Sequence, residues 1–170
     1  GTFSHKIGGF KFKAGLRMEY THTYGDLVTT GTNFTKSYFD LFPTLSFSQK
    51  IGDMNEFQIS YARRITRPNI WRLNPFVNKY NTRYIYFGNP ELTPEFTNSF
   101  EFNHNLYSKI LNLTTSIFYR NSYDVMSNYS YMQDSITTVT TYRNDAQSQA
   151  YGTDFILRSY VLKWLTMNAT

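Results

Sequence analysis

From Phe10 to Thr21 apolar and polar residues alternate without interruption: Phe10, Phe12, Ala14, Leu16, Met18 and Tyr20 against Lys11, Lys13, Gly15, Arg17, Glu19 and Thr21. A period of two sustained this long belongs to a strand with one apolar and one polar face, because successive side chains leave a pleated backbone on opposite sides. The pattern recurs. Phe39, Leu41, Pro43, Leu45 and Phe47 oppose Asp40, Thr44, Ser46 and Ser48, with Phe42 breaking the polar side and Pro43 removing a ladder donor. Phe57, Ile59, Tyr61 and Ile65 oppose Glu56, Gln58, Ser60 and Arg64, with Arg63 the exception on the apolar side. Phe100, Phe102 and Leu106 oppose Ser99, Glu101, Asn103 and Asn105. Leu111 to Tyr119, Tyr151 to Leu157 and Leu165 to Ala169 complete about seven strands.

The connections alternate in length. Short turns are predicted at Lys50 to Asn55, Tyr107 to Asn112 and Ser159 to Lys163. Between them run long polar excursions, His22 to Lys36, Thr66 to Thr97 and Ser122 to Gln149. An antiparallel up-and-down meander with short turns at one end and long loops at the other is the plan of transmembrane outer-membrane barrels. Strands one and seven of such a meander run the same way, which a closed antiparallel barrel forbids, and the last strand stops at Thr170 in mid-pattern. The expectation is therefore a partial barrel domain over residues 1–170, a fragment of a larger barrel. Alone it would leave unpaired edges in lipid.

Composition narrows the class. With 15 Tyr and 15 Phe the chain is 19% aromatic, yet its mean hydropathy is -0.47. Half-apolar strands produce that combination, and no run approaches the roughly 20 apolar residues of a spanning helix. The net charge of +5 admits nucleic acid, anionic lipid or an acidic ligand without choosing among them. A nucleic-acid platform wants aromatics and cations on one face, whereas the first strand segregates them, so no nucleic-acid partner is expected. There is no cysteine, and the opening GTFSHKIGGF carries no signal-peptide pattern. His5, His22 and His104 are scattered without a companion carboxylate at ligand spacing. No G-x-S-x-G elbow, P-loop or G-x-G-x-x-G is present. Neither an enzyme, a metal site nor a cofactor is expected.

Two residue groups stand out. Arg63, Arg64, Arg67 and Arg72 crowd together beside Trp71, Asn74, Tyr80 and Arg83, a set able to hold an anionic or sugar-like ligand by charge and stacking. The competing reading pairs these arginines with Glu91, Glu95 and Glu101 across the next strand, and it is preferred because ion-paired rims are ordinary. Pro68, Pro75, Pro90 and Pro94, with Gly88 and Asn89, stiffen the longest loop; folding that loop over a barrel mouth is their preferred role. Tyr20, Tyr38, Tyr119, Tyr151 and Trp164 fall near strand ends, where amphipathic rings suit a membrane interface.

The stretches YARRITRPNIWRLNPF (Tyr61 to Phe76) and GNPELTPEFTNSFEF (Gly88 to Phe102) resemble the signature of the TonB-dependent-receptor-like outer-membrane barrel family of Bacteroidetes. AGLRMEY, YFDLFPTLSFS, YGTDFILRS and KWLTMNAT agree in order, so the resemblance covers nearly the whole chain. It implies a plugged barrel of about 22 strands in the bacterial outer membrane, with short turns periplasmic and long loops extracellular. It also implies uptake of a bulky nutrient, with the plug and the TonB-contacting segment lying upstream. The implied partners are outer-membrane lipid, the rest of the barrel with its plug, the TonB system and an unknown nutrient. The alternatives are a non-transporting scaffold or adhesion barrel and, after it, a soluble single-stranded nucleic-acid-binding β domain.

Overall fold

The computed structural model describes residues 1–27, 31–81, 83–162 and 165–169. Eight strands form the meander: β1 (Thr2–Ile7), β2 (Phe10–Leu27), β3 (Thr32–Ile51), β4 (Asn55–Thr66), β7 (Glu95–Tyr107), β8 (Leu111–Met132), β9 (Thr138–Leu162) and β10 (Leu165–Ala169). Between β4 and β7 lie a single helical turn, α1 (Ile70–Leu73), and two short strands, β5 (Asn78–Asn81) and β6 (Tyr84–Tyr86). Meander neighbours pair antiparallel in chain order; β6 adds to β9 in parallel. Among the described residues the sheet is open, and the antiparallel meander resembles part of a larger barrel.

The expected strands are present, with two corrections. A strand precedes the first one expected: β1, whose run Phe3, His5, Ile7 is short, joins β2 through Gly8 and Gly9, with Gly8 at φ 58. The meander thus has eight strands rather than seven. In addition, the first and third long excursions are strand, not loop. β2 and β3 stay in register up to Leu27↔Thr32, and β8 and β9 remain paired, past a bulge between Ser122 and Met126, up to Met132↔Thr138. Apolar alternation fades there while the ladder continues, because a paired backbone is satisfied whatever its side chains face. The expected turn at Ser159 to Lys163 is strand as far as Leu162, and its last residue lies outside the described residues.

The two faces are inverted relative to a soluble protein. Met18, Tyr20, Phe39, Ile59, Phe100, Ile117 and Phe155 are exposed, while Thr21, Asp40, Ser46, Ser60, Glu101 and Ser116 on the opposite face are half-buried. Register carries the apolar face across strands: Tyr61 opposes Phe100, Phe100 opposes Tyr119, and Tyr119 opposes Tyr151. Rings touch along it, with Phe12 4.9 Å from Phe47 and Tyr61 4.9 Å from Phe100. The polar face is knitted by side chains: Gln58 Nε2 donates to Ser46 Oγ (3.2 Å), Asn103 Nδ2 to Glu101 Oε1 (3.0 Å) and Thr114 Oγ1 to Asn105 Oδ1 (2.8 Å).

Area makes the same point. The chain exposes 12026 Å², against about 8,700 Å² for a compact monomer of its 20.0 kDa. Both faces of this sheet are built to be covered by something else. Among the described residues the buried apolar side chains are Phe42, Leu73, Leu92, Met126 and Val139. All but Phe42 lie at the end bearing the long hairpins, so the chain's own core sits at that end and not along the wall.

Candidate functional site

The segment between β4 and β7 folds back over the polar face of the β2–β3 hairpin. Its first anchor is Arg67, whose Nη2 binds the Glu19 carboxylate and the Thr21 hydroxyl (3.2 Å), 48 and 46 residues earlier. Glu19 also receives Arg17 Nε at 2.8 Å. Next comes α1. Asn69 caps it, its Oδ1 accepting from Arg72 N (2.9 Å), and Asn74 closes it, its N–H donating to the Ile70 carbonyl (2.9 Å). Its buried side chain, Leu73, packs with Leu92 and Met126, flanked by Phe34 and Tyr142.

The GNPELTP motif then ties the returning chain to α1. Gly88 N donates to Asn74 O (2.9 Å) and Asn89 N to Arg72 O (2.6 Å). A Cβ at Gly88 would lie 2.5 Å from the Arg72 carbonyl oxygen and 2.7 Å from that of Asn74, so only glycine permits this approach. Asn89 Oδ1 accepts from Glu91 N (2.8 Å), and its Nδ2 donates to Tyr142 O on β9 (2.9 Å). Asn144 grips the next residues from the same strand: Thr93 N donates to its Oδ1 (2.8 Å), and its Nδ2 donates to Thr93 O (2.9 Å) and Asp124 O (2.6 Å). Asp124 has φ 55 and marks the bulge in β8. Lys36 completes the seam, donating from Nζ to the Leu92 carbonyl at 2.7 Å. Between hairpin and loop lies a partly open pocket of about 160 Å³ lined by Ile70, Leu73, Leu92, Pro94, Lys36, Arg67 and neighbouring residues.

The arginines singled out from the sequence do not form one group: Arg63 and Arg64 border a common groove, while Arg67 and Arg72 are engaged elsewhere. Arg67 serves the anchor above. Arg72 lies 5.3 Å from the Tyr142 ring and 3.8 Å from Met126 Sδ, so it packs on the small core. Arg63 stacks on Phe96 (4.6 Å) and Tyr123 (5.8 Å) on the apolar face near the rim. Arg64 is exposed on the polar face, where it borders a groove of about 350 Å³ with Arg17, Phe42 and Thr44, which Arg63 also lines. Arg83 is exposed, and its carbonyl accepts from Thr138 N (2.8 Å) where β6 meets β9. Trp71 is 73% exposed on α1; Asn74 is spent on capping, its Oδ1 also accepting from Phe76 N (3.0 Å). Tyr80 lies in β5, and its side chain is outside the described residues. Of the acidic partners expected for these arginines, Glu95 instead accepts from Met126 N (2.8 Å) and Glu101 from Asn103. The carboxylate bound by Arg67 comes from β2, a pairing that sequence proximity hides.

Of the interface aromatics, Tyr20, Tyr119 and Tyr151 stand exposed on the apolar face. Tyr38 is a correction. It opposes Thr21 on the polar face, half-buried, with the Arg67 guanidinium 6.0 Å from its ring, because it is one residue out of phase with Phe39. Trp164 lies outside the described residues. His22 Nδ1 is 2.8 Å from Ser37 Oγ, and His104 stacks 4.5 Å from Phe57. Sequence reading missed Glu19, Lys36, Leu92 and Asn144. A polar residue on a strand gives no local sign of which loop it will meet.

Comparison with known proteins agrees with the wall. No curated protein matches the chain. Among solved structures, it is similar to the Serratia marcescens hemophore receptor HasR, solved with its hemophore HasA and heme, at 17% identity and a TM-score of 0.70, over 92% of this chain and 30% of HasR. It is similar to the siderophore receptor PirA of Pseudomonas aeruginosa at 13% identity and 0.67, over 94% and 33%. The FrpB iron transporter of Neisseria meningitidis matches at 17% and 0.65, over 93% and 22%. The chain thus spans a third or less of the length of these structures. The model of the outer membrane protein beta-barrel family matches residues 1–170, and the chain, an open sheet with its apolar face outward, belongs to that family.

Proposed function

We propose that residues 1–170 are a wall-and-loop portion of an outer-membrane receptor barrel of the TonB-dependent type, from a Bacteroidetes bacterium, that takes up a bulky nutrient. The observation that carries this reading is the pinned loop over the polar face. A passive wall needs no buried core at one end, whereas this chain builds one from Leu73, Leu92 and Met126 and ties it to the β2–β3 and β8–β9 hairpins. In this reading the polar face lines the lumen, the plug and the TonB-contacting segment belong to other parts of the protein, and the long-hairpin end faces outward. The receptors and the iron transporter to which the sheet is similar support the same assignment. No catalytic role is assigned.

The test compares nutrient depletion by wild-type cells, cells lacking the full-length protein and cells lacking TonB. Loss of uptake of one bulky solute in both mutants is expected. Uptake unaffected by TonB, or unaltered nutrient depletion in the deletion strain, would instead support a scaffold or adhesion barrel. Orientation is read separately by labelling introduced cysteines on intact cells: position 71 is expected to react and position 53 to remain protected, and the reverse would overturn the assignment.

A further inference from the structure

We propose that the cavity between the β2–β3 hairpin and α1 is a binding site for a small apolar carboxylate, a ring-sized or branched hydrocarbon group bearing one anionic head. Its volume is about 160 Å³, close to the roughly 150 Å³ that suffices to take up a benzene ring. Ile70, Leu73, Leu92 and Pro94 supply an apolar wall, which suits the body of such a ligand. Among the described residues the charged groups lining the cavity are Lys36 and Arg67, and no carboxylate lines it.

The two cations are differently placed. Arg67 is held by Glu19 and Thr21, so its guanidinium is a fixed wall charge. Among the described residues the Lys36 ammonium donates to one neutral carbonyl, that of Leu92, leaving donor capacity for an anion. Lys36 lies above the apolar band of β3. Burial pushes its ammonium down from the ordinary lysine range, with the Glu91 carboxylate opposing that shift. A carboxylate entering beside it would replace lost hydration with a charge-assisted hydrogen bond. The walls are preorganised, since Gly88, Asn89 and Asn144 hold the returning loop before any ligand arrives.

The inference rests on the uptake reading for its biological use, because it names the chemistry of one group on the solute. Binding is tested independently, by calorimetric titration of the full-length protein in detergent with phenylacetate, phenylacetamide and phenethylammonium. Phenylacetate is expected to bind at least about tenfold more tightly than the neutral amide and to exceed the cation by more. Lys36→Met is expected to weaken phenylacetate about tenfold and leave phenylacetamide within about twofold, while Lys36→Arg retains most of the affinity. A thermal melt of each variant separates lost binding from lost folding. Equal binding of the three probes, or phenylacetate affinity unchanged in a folded Lys36→Met protein, would overturn the site. Phenylacetate binding without TonB-dependent uptake would retain the site and overturn the import reading; uptake without phenylacetate binding would do the opposite.

Discussion

At the residue scale, the loop depends on a few side chains and one missing side chain. Gly88 approaches two carbonyl oxygens that a methyl group would strike. Those oxygens belong to backbone capping α1, which has little freedom to yield. Gly88→Ala is expected to cost about 1–3 kcal/mol locally, read as faster trypsin cleavage at Arg72 or Arg83 in the full-length protein with the melting of the barrel unchanged. Asp134 organises the β8–β9 turn in another way. Its Oδ1 accepts from the N–H groups of Ile136 (2.9 Å) and Thr137 (2.8 Å), and the Ile136 bond, foremost, holds its carboxyl below the usual range. A depressed folded pKa stabilises the turn above the ordinary carboxylate value, about 3.9. That contribution is lost as pH falls through the lower folded value. Amide protection at Ile136 and Thr137, corrected for intrinsic exchange, is expected to hold down to about pH 4 and fall below it. Asp134→Asn is expected to abolish that pH dependence.

At the scale of elements, the hairpins extend well beyond the apolar band, and glycine makes room for rings along them. The Phe34 ring lies over Gly25, its register partner, and Phe118 lies over Gly152 in the same way. Phe34 is thereby laid against the core of Leu73, Leu92 and Met126. Leu92 is 1% exposed, so Leu92→Ala opens the core it forms with Leu73 and Met126, flanked by Phe34 and Tyr142. The expected cost is about 2–4 kcal/mol. Hydrogen exchange should quicken through the loop and the adjoining hairpin tips while β7 below Thr97 keeps its protection. Uniform loss of protection throughout the sheet would contradict a separate core at this end.

For the whole molecule, the inverted faces decide the environment. Ile59 projects from the apolar face and Ser60, one residue on, from the polar face. In the full-length protein Ile59→Lys places a charge against lipid, at a cost of about 2–4 kcal/mol near the midplane. Ser60→Lys is expected to be nearly neutral, because that face already carries Lys13, Glu101 and hydrogen-bonded serines. Outer-membrane levels of the two variants check this directly. Similar levels would mean that the apolar face is covered by protein and not by lipid.

The seven expected strands and their two faces were legible in the sequence, whereas β1 was not, and of the three long excursions only the one between β4 and β7 is a long connection. Phe10 to Tyr20 and Phe57 to Ile65 announce a two-faced sheet because period two is a property of local backbone geometry. Above the band that signal ended before the strands did, since pairing there rests on the partner strand and not on side-chain polarity. Tertiary structure alone decided the site. It brought Glu19 to Arg67 and Lys36 to Leu92 across long stretches of chain, and it scattered arginines that are neighbours in sequence. A strand rises roughly 3.3 Å per residue, so residues a few positions apart on β4 and α1 point to different faces and different partners. Residues distant in sequence meet wherever the hairpins place them.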